Sequence, residues 1–214
     1  MNEELMGEPP HVHHMDAPTA YQAAKLGMWL FLATEILLFG GLFAAFAVFR
    51  WYYLAEFHAA SHHLDWRLGM TNTIVLIFSS FTAALAVDAA QHGNNKKVTA
   101  CLATTVICGF IFLIIKYIEY SHKFHDGLFP GTAFFNSPEF NVEYKTFFGL
   151  YYCMTGLHGL HVIFGMGILT WVLTKSTKNR FSSRYYTPVE VGALYWHLVD
   201  LIWIYLFPLL YLVG

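Results

Sequence analysis

The chain is 214 residues long, 57% hydrophobic, 18% aromatic and only 12% charged, against about 25% charged residues in an ordinary soluble domain. Its formal net charge of −2 argues against a nucleic-acid binder, and no Lys/Arg block exceeds a short loop cluster. What remains is a polytopic membrane protein, with solubility carried by the bilayer.

Residues 1–20 form a polar segment with Glu3, Glu4, Glu8, Pro9 and Pro10 and the histidines His11, His13 and His14. It lacks the basic start and short apolar core of a signal peptide and is expected to be a flexible tail. Its histidines have no surrounding groups to hold a metal ion. Apolar runs long enough to cross a bilayer, about 20 residues each, then follow at 21–54, 68–90, 98–120, 146–173 and 188–213. The expected fold is therefore all-α: a bundle of five transmembrane helices over 21–214. Connections are expected at 55–67, 91–97, 121–144 and 174–187, where Gly, Asn, Pro and charge collect.

The first span carries Glu35 in "FLATEILLF", roughly 15–20 Å along it at 1.5 Å per residue and thus near mid-bilayer. An ionisable group there costs about 2.5–3.5 kcal/mol on insertion scales. Glu35 is therefore either hydrogen-bonded to a neighbouring helix or engaged in a proton-linked or lipid-contacting role, and the two are compatible. Trp51, Tyr52 and Tyr53 close this span as an interfacial aromatic belt. The second span opens with Asn72 near the outer face and ends with Asp88 and His92 near the inner one. In the third, Lys116 and Glu119 lie three apart on one helical face and are expected to pair and to snorkel outwards.

The segment 121–144, rich in Phe with Gly127, Pro130, Gly131 and Pro138, is expected to pack on the membrane interface or on a partner. In the fourth span, "TGLHGLHVIFGMG" combines His158 and His161 with Gly156, Gly159, Gly165 and Gly167. Small residues let helices approach closely, so Gly156, Gly159 and Gly165 are expected to pack against a neighbour. The histidines share a face, but no Glu precedes either by three residues as a bundle di-iron site requires. They are expected to be hydrogen-bonded structural residues. The last span, "YWHLVDLIWIYLFPLLY", sets His197 and Asp200 three apart, so that an imidazole can donate to a carboxylate across one turn. Pro208 falls where a kink is tolerated. Cys101, Cys108 and Cys153 lie within spans and form no disulfide framework.

Lys96, Lys97, Lys175, Lys178, Arg180 and Arg184, with Lys25, fall on the N-terminal side of the bilayer. Arg50, Arg67, Lys123 and Lys145 fall on the other side, diluted by Glu56, Asp65, Asp126, Glu139 and Glu143. By the positive-inside rule the N-terminus is cytoplasmic and the C-terminus outside.

Five stretches taken in order, "LGMWLFLATEILLFGGLFAAF" (26–46), "NTIVLIFSS" (72–80), "FLIIKYIEY" (112–120), "TGLHGLHVIFG" (155–165) and "YWHLVDLIWIYL" (195–206), resemble motifs of subunit III of haem-copper oxidases. The resemblance covers nearly all of 21–213 and matches the five-span form, which lacks the first two helices of the seven-span form. It implies a non-catalytic accessory subunit of an aerobic terminal oxidase in a bacterial cytoplasmic membrane. Such a subunit packs on subunit I, with subunit II and a small subunit IV nearby. It binds phospholipid, supports proton uptake and leaves haem and copper to its partners. On this resemblance Glu35, Asn72, Glu119, His158, His161, His197 and Asp200 are family-signature polar residues and neither catalytic groups nor metal ligands. Lys116 departs from the pattern, since members commonly carry an uncharged polar residue there.

Three other readings stand beside it. One is the equivalent subunit of a quinol oxidase or an accessory protein of nitric oxide reductase. A second is a self-contained membrane haem or metal protein using His158, His161 and His197. The third is a proton-coupled carrier using Glu35, although paired repeats of broken helices are missing from the sequence.

Overall fold

The structure is a computed structural model that describes residues 16–129, 131 and 141–212. The tail histidines and the centre of the 121–144 segment lie outside the described residues.

Pro18 occupies the first turn of α1 (Ala17–Tyr52), where its missing N–H costs no hydrogen bond. This helix starts earlier than the 21–54 run and ends two residues sooner. A short helix, α2 (Leu54–Ser61), then lies within the stretch expected to be a plain connection. Its amphipathic turn seats Phe57 and Ala60 in the core, a pattern too short to stand out from a loop. Asp65 caps α3 (Trp66–Gln91) by accepting from the Arg67 backbone N–H. Asn94 caps α4 (Asn95–His125) by accepting from Lys97. Between these two helices Gly93 takes φ +70°, the left-handed geometry that ends a helix without strain on a side chain.

α4 runs five residues beyond the apolar run, because the charges of Lys116, Glu119 and Lys123 near its C-terminal end are accommodated inside the protein. α5 spans Val142–Ser176, and α6 spans Thr187–Phe207 with Pro188 in its first turn. At Pro208 the chain widens into a π-helical turn, Pro208–Leu212. Five helices are long and apolar enough to cross a membrane, and among the described residues the only β feature is a lone bridge between Ser182 and Tyr185.

Helices α3, α4, α5 and α6 form the body of the bundle, with α3 against α4 as the most extensive pairing and α6 packed broadly on α3 and α5 and touching α4 through Trp196 and Trp203. α6 is the most enclosed helix and α1, laid against α5 and α6, the least. One aromatic residue sets this packing. Trp196 of α6 fits between α4 and α5 where both lack a side chain. A Cβ on Gly109 would lie 2.9 Å from the indole and one on Gly165 3.0 Å from it. The indole N–H donates to Ser79 Oγ of α3 at 3.0 Å, so a single ring fixes the relative height of four helices.

Gly165 thus meets the close-approach expectation. Gly156 and Gly159 differ: among the described residues, a Cβ on either would have no atom of another helix within 4 Å. Helix-to-helix approach within the chain is therefore made at Gly165 alone of the three.

Candidate functional site

The polar residues singled out in the sequence separate into three groups. Near the C-terminal end of α4, Glu119 is 2% exposed and receives four donors. Lys116 Nζ reaches Oε2 at 2.9 Å, while Lys123 Nζ, Tyr151 OH and Tyr211 OH reach Oε1 at 3.0, 2.9 and 2.6 Å. Lys116 also donates to Tyr211 OH at 2.8 Å and lies over the rings of Trp203, Tyr211, Tyr151 and Tyr120 at 4.7–5.8 Å. The expected Lys116–Glu119 pair is present, but neither residue snorkels. The aromatic cage and two tyrosine hydroxyls replace the water that an exposed pair would use. Lys123, Tyr151 and Tyr211 complete the group and were not apparent from sequence; a Lys four residues after Glu119 was the available signal.

In the second group, Glu35 Oε2 on α1 lies 2.9 Å from His161 Nε2 on α5. His161 Nδ1 lies 2.8 Å from the Leu157 carbonyl oxygen. A carbonyl only accepts, so Nδ1 carries a hydrogen. The Nε2–Oε2 contact then holds one proton between an imidazole nitrogen and a carboxyl oxygen, and either atom can keep it. Both side chains are about 15% exposed, edged by the ring of Phe39. His158 is in a different setting. It is fully buried against Phe112 and Trp203, and among the described residues no group hydrogen-bonds either ring nitrogen. The expectation of two hydrogen-bonded histidines therefore holds for His161 and fails for His158, because the two rings leave the helix towards different neighbours.

In the third group, His197 and Asp200 do not pair with each other. His197 Nδ1 meets Ser80 Oγ at 2.6 Å, and Asp200 Oδ2 meets Ser79 Oγ at 3.5 Å. Adjacent serines on α3 reach across to α6, Ser80 to His197 and Ser79 to both Asp200 and Trp196, which the within-helix spacing could not reveal. Thr82 and Thr105 join α3 to α4 at 2.8 Å one turn further in. Asn72 is fully buried on α3, with no protein partner for its amide oxygen or nitrogen.

Two further features come from the structure alone. Glu190, in the first turn of α6, accepts from Lys25 Nζ at 2.8 Å and from Tyr21 OH at 2.7 Å, tying the start of α1 to the start of α6. At the opposite end, an open pocket of about 630 Å³ is lined by Ala47, Arg50, Trp51, Leu54 and Leu209. Among the described residues, no three His, Cys, Asp or Glu side chains converge as a metal-ligand set.

The family model described as cytochrome c oxidase subunit III matches residues 10–214. Similar proteins include quinol oxidase subunit 3 of Bacillus subtilis, 30% identical over 95% of this chain and 97% of its own length. A probable cytochrome c oxidase subunit 3 of Nocardia farcinica is 30% identical over 94% and 92% of the two chains. Cytochrome c oxidase subunit 3 of Synechocystis is 33% identical over 87% and 74%.

Proposed function

The chain belongs to the cytochrome c oxidase subunit III family, and from that premise we propose that it is a non-catalytic accessory subunit of a proton-pumping haem-copper terminal oxidase, stabilising subunit I. The observation that carries this reading is a family match running through all five membrane-spanning helices. In this reading haem and copper reside in partner subunits, subunit II and a small subunit IV lie in the same complex, and the N-terminus faces the cytoplasm of a bacterial cell. The excess of Lys and Arg in the 91–97 and 174–187 connections supports that orientation.

Two features of the chain support finer roles. The pocket beside Arg50 and Trp51 has the character of a phospholipid site: apolar walls, a guanidinium for a phosphate and an indole at the interfacial end of a span. The Glu35–His161 pair, partly open at the α1–α5 seam, is suited to hold and release a proton near subunit I and so to support proton uptake. Oxidation of cytochrome c by the complex is the leading assignment. Donation from quinol is the second reading, favoured by the full-length similarity to the Bacillus subtilis quinol oxidase subunit.

The test is purification through a tag on this chain in mild detergent, followed by reduced-minus-oxidised spectroscopy and protein identification. Co-purified haem-copper subunits are expected, with haem bands that name the oxidase type. Recovery of the chain alone, or with haem of its own, overturns the reading.

A further inference from the structure

The buried polar groups of α3, α4 and α6 are not scattered. From Thr105 to Lys123 on α4 they follow one another for 18 residues, roughly 27 Å at 1.5 Å per residue. In order outwards come Thr82–Thr105, then Ser79 with Asp200 and Trp196, then Thr73 with Trp203, and finally the Lys116–Glu119–Lys123–Tyr211 cluster. The column breaks at the Trp203 layer. His158 packs on Trp203 at 5.3 Å between ring centroids, and Lys116 lies over the same indole at 4.7 Å. Asn72 belongs to this height as well. Starting from the Thr82–Thr105 contact, ten residues back on α3 and ten forward on α4 bring Asn72 level with Ile115, next to Lys116.

Asn72 and His158 are fully buried, and together they present four polar atoms to which no group among the described residues is a partner. Buried polar groups of this kind are ordinarily satisfied. The donor set decides by what. A neutral imidazole and a primary amide each present a donor and an acceptor at once. A cation would meet their N–H groups as well as the nearby Lys116 ammonium, and an anion would leave their lone pairs unmet. Only a small molecule that both donates and accepts suits them.

We infer that the core of the bundle binds water at the Trp203 layer, held by Asn72 and His158. This water continues the hydrogen-bonded column between the Asp200 group and the Lys116–Glu119 cluster. The two polar clusters then act as one unit through most of the membrane's thickness, separate from the Glu35–His161 pair, which faces α1.

The experiment is infrared difference spectroscopy of the full-length chain in lipid, exchanged between H2O and H2 18O. It is run on the wild-type chain and on His158→Phe and Asn72→Leu, with far-ultraviolet circular dichroism to confirm the helices. We expect O–H stretching bands of buried water that shift with 18O in the wild-type chain and are lost in both variants. We also expect the unfolding midpoint of Asn72→Leu to fall by about 2–4 °C or more. Absence of such bands in the wild-type chain, or bands that persist in both variants, overturns the inference. If His158→Phe does not fold, Asn72→Leu alone decides on the same criterion.

Discussion

Glu35 and His161, 126 positions apart, meet at 2.9 Å, and the second nitrogen of His161 is already committed to the Leu157 carbonyl. The imidazole is therefore fixed in one tautomer whenever it is neutral, and Glu35 faces the nitrogen that accepts. This pair and the Lys25 and Tyr21 bonds to Glu190 tie the least enclosed helix to the bundle alongside its buried Leu32, Phe39 and Phe46.

Glu35→Gln should leave the chain folded, because the amide N–H can donate to the same Nε2. Glu35→Ala removes the partner altogether and should cost about 1–3 kcal/mol. Thermal unfolding of the two variants in one detergent separates the cases. In the intact oxidase, Glu35→Gln should reduce proton-linked turnover or its durability modestly while the complex still assembles.

At the Glu119 cluster the order of effects follows from counting charges. Two ammoniums share one carboxylate. Glu119→Gln strands both and should destabilise by about 3–5 kcal/mol. Lys116→Met leaves Lys123 paired with Glu119 and fills the aromatic cage with an apolar chain of similar length. It should cost clearly less, and a denaturant titration that ranks Lys116→Met as the worse variant would contradict this account.

Glycine substitutions should divide by helix face. Gly165→Val collides with Trp196 and Tyr195 and should destabilise the isolated chain by about 1–3 kcal/mol through overpacking. At Gly159 an added Cβ has open space among the described residues, so Gly159→Leu should fold normally on its own. Loss of co-purifying subunits in Gly159→Leu alone would assign that face to the partner, and normal assembly would assign it to lipid.

Arg50→Leu should lower the amount of phospholipid retained by the purified chain without unfolding it, since the pocket walls stay apolar. Lipid extraction and mass spectrometry give the measurement. Unchanged retention would move the lipid site elsewhere.

The architecture was legible where the physics is one-dimensional. Five apolar runs of sufficient length become five spanning helices, and Lys116 with Glu119, three apart on one helix, do pair. Partnerships made between helices were not legible. His197 and Asp200 have the spacing of a pair, yet each bonds to a serine of α3 because the register of α3 against α6 is set by Trp196 and its contact with Ser79. His158 and His161 share a spacing and a motif but not an environment, since one ring turns towards Trp203 and the other towards α1. Helix α2 escaped notice because eight residues carry too little periodicity to distinguish a helix from a loop.

The seating of Trp196 has an evolutionary consequence. Its ring occupies space that two glycines on different helices leave open, and its N–H uses a serine on a third. No one of these four positions can change size alone. Among descendants of this sequence, a side chain gained at position 109 or 165 should appear together with a smaller ring at 196. Position 79 should keep a hydrogen-bond acceptor for as long as the indole remains. An alignment of such descendants would therefore show the four positions drifting as a set.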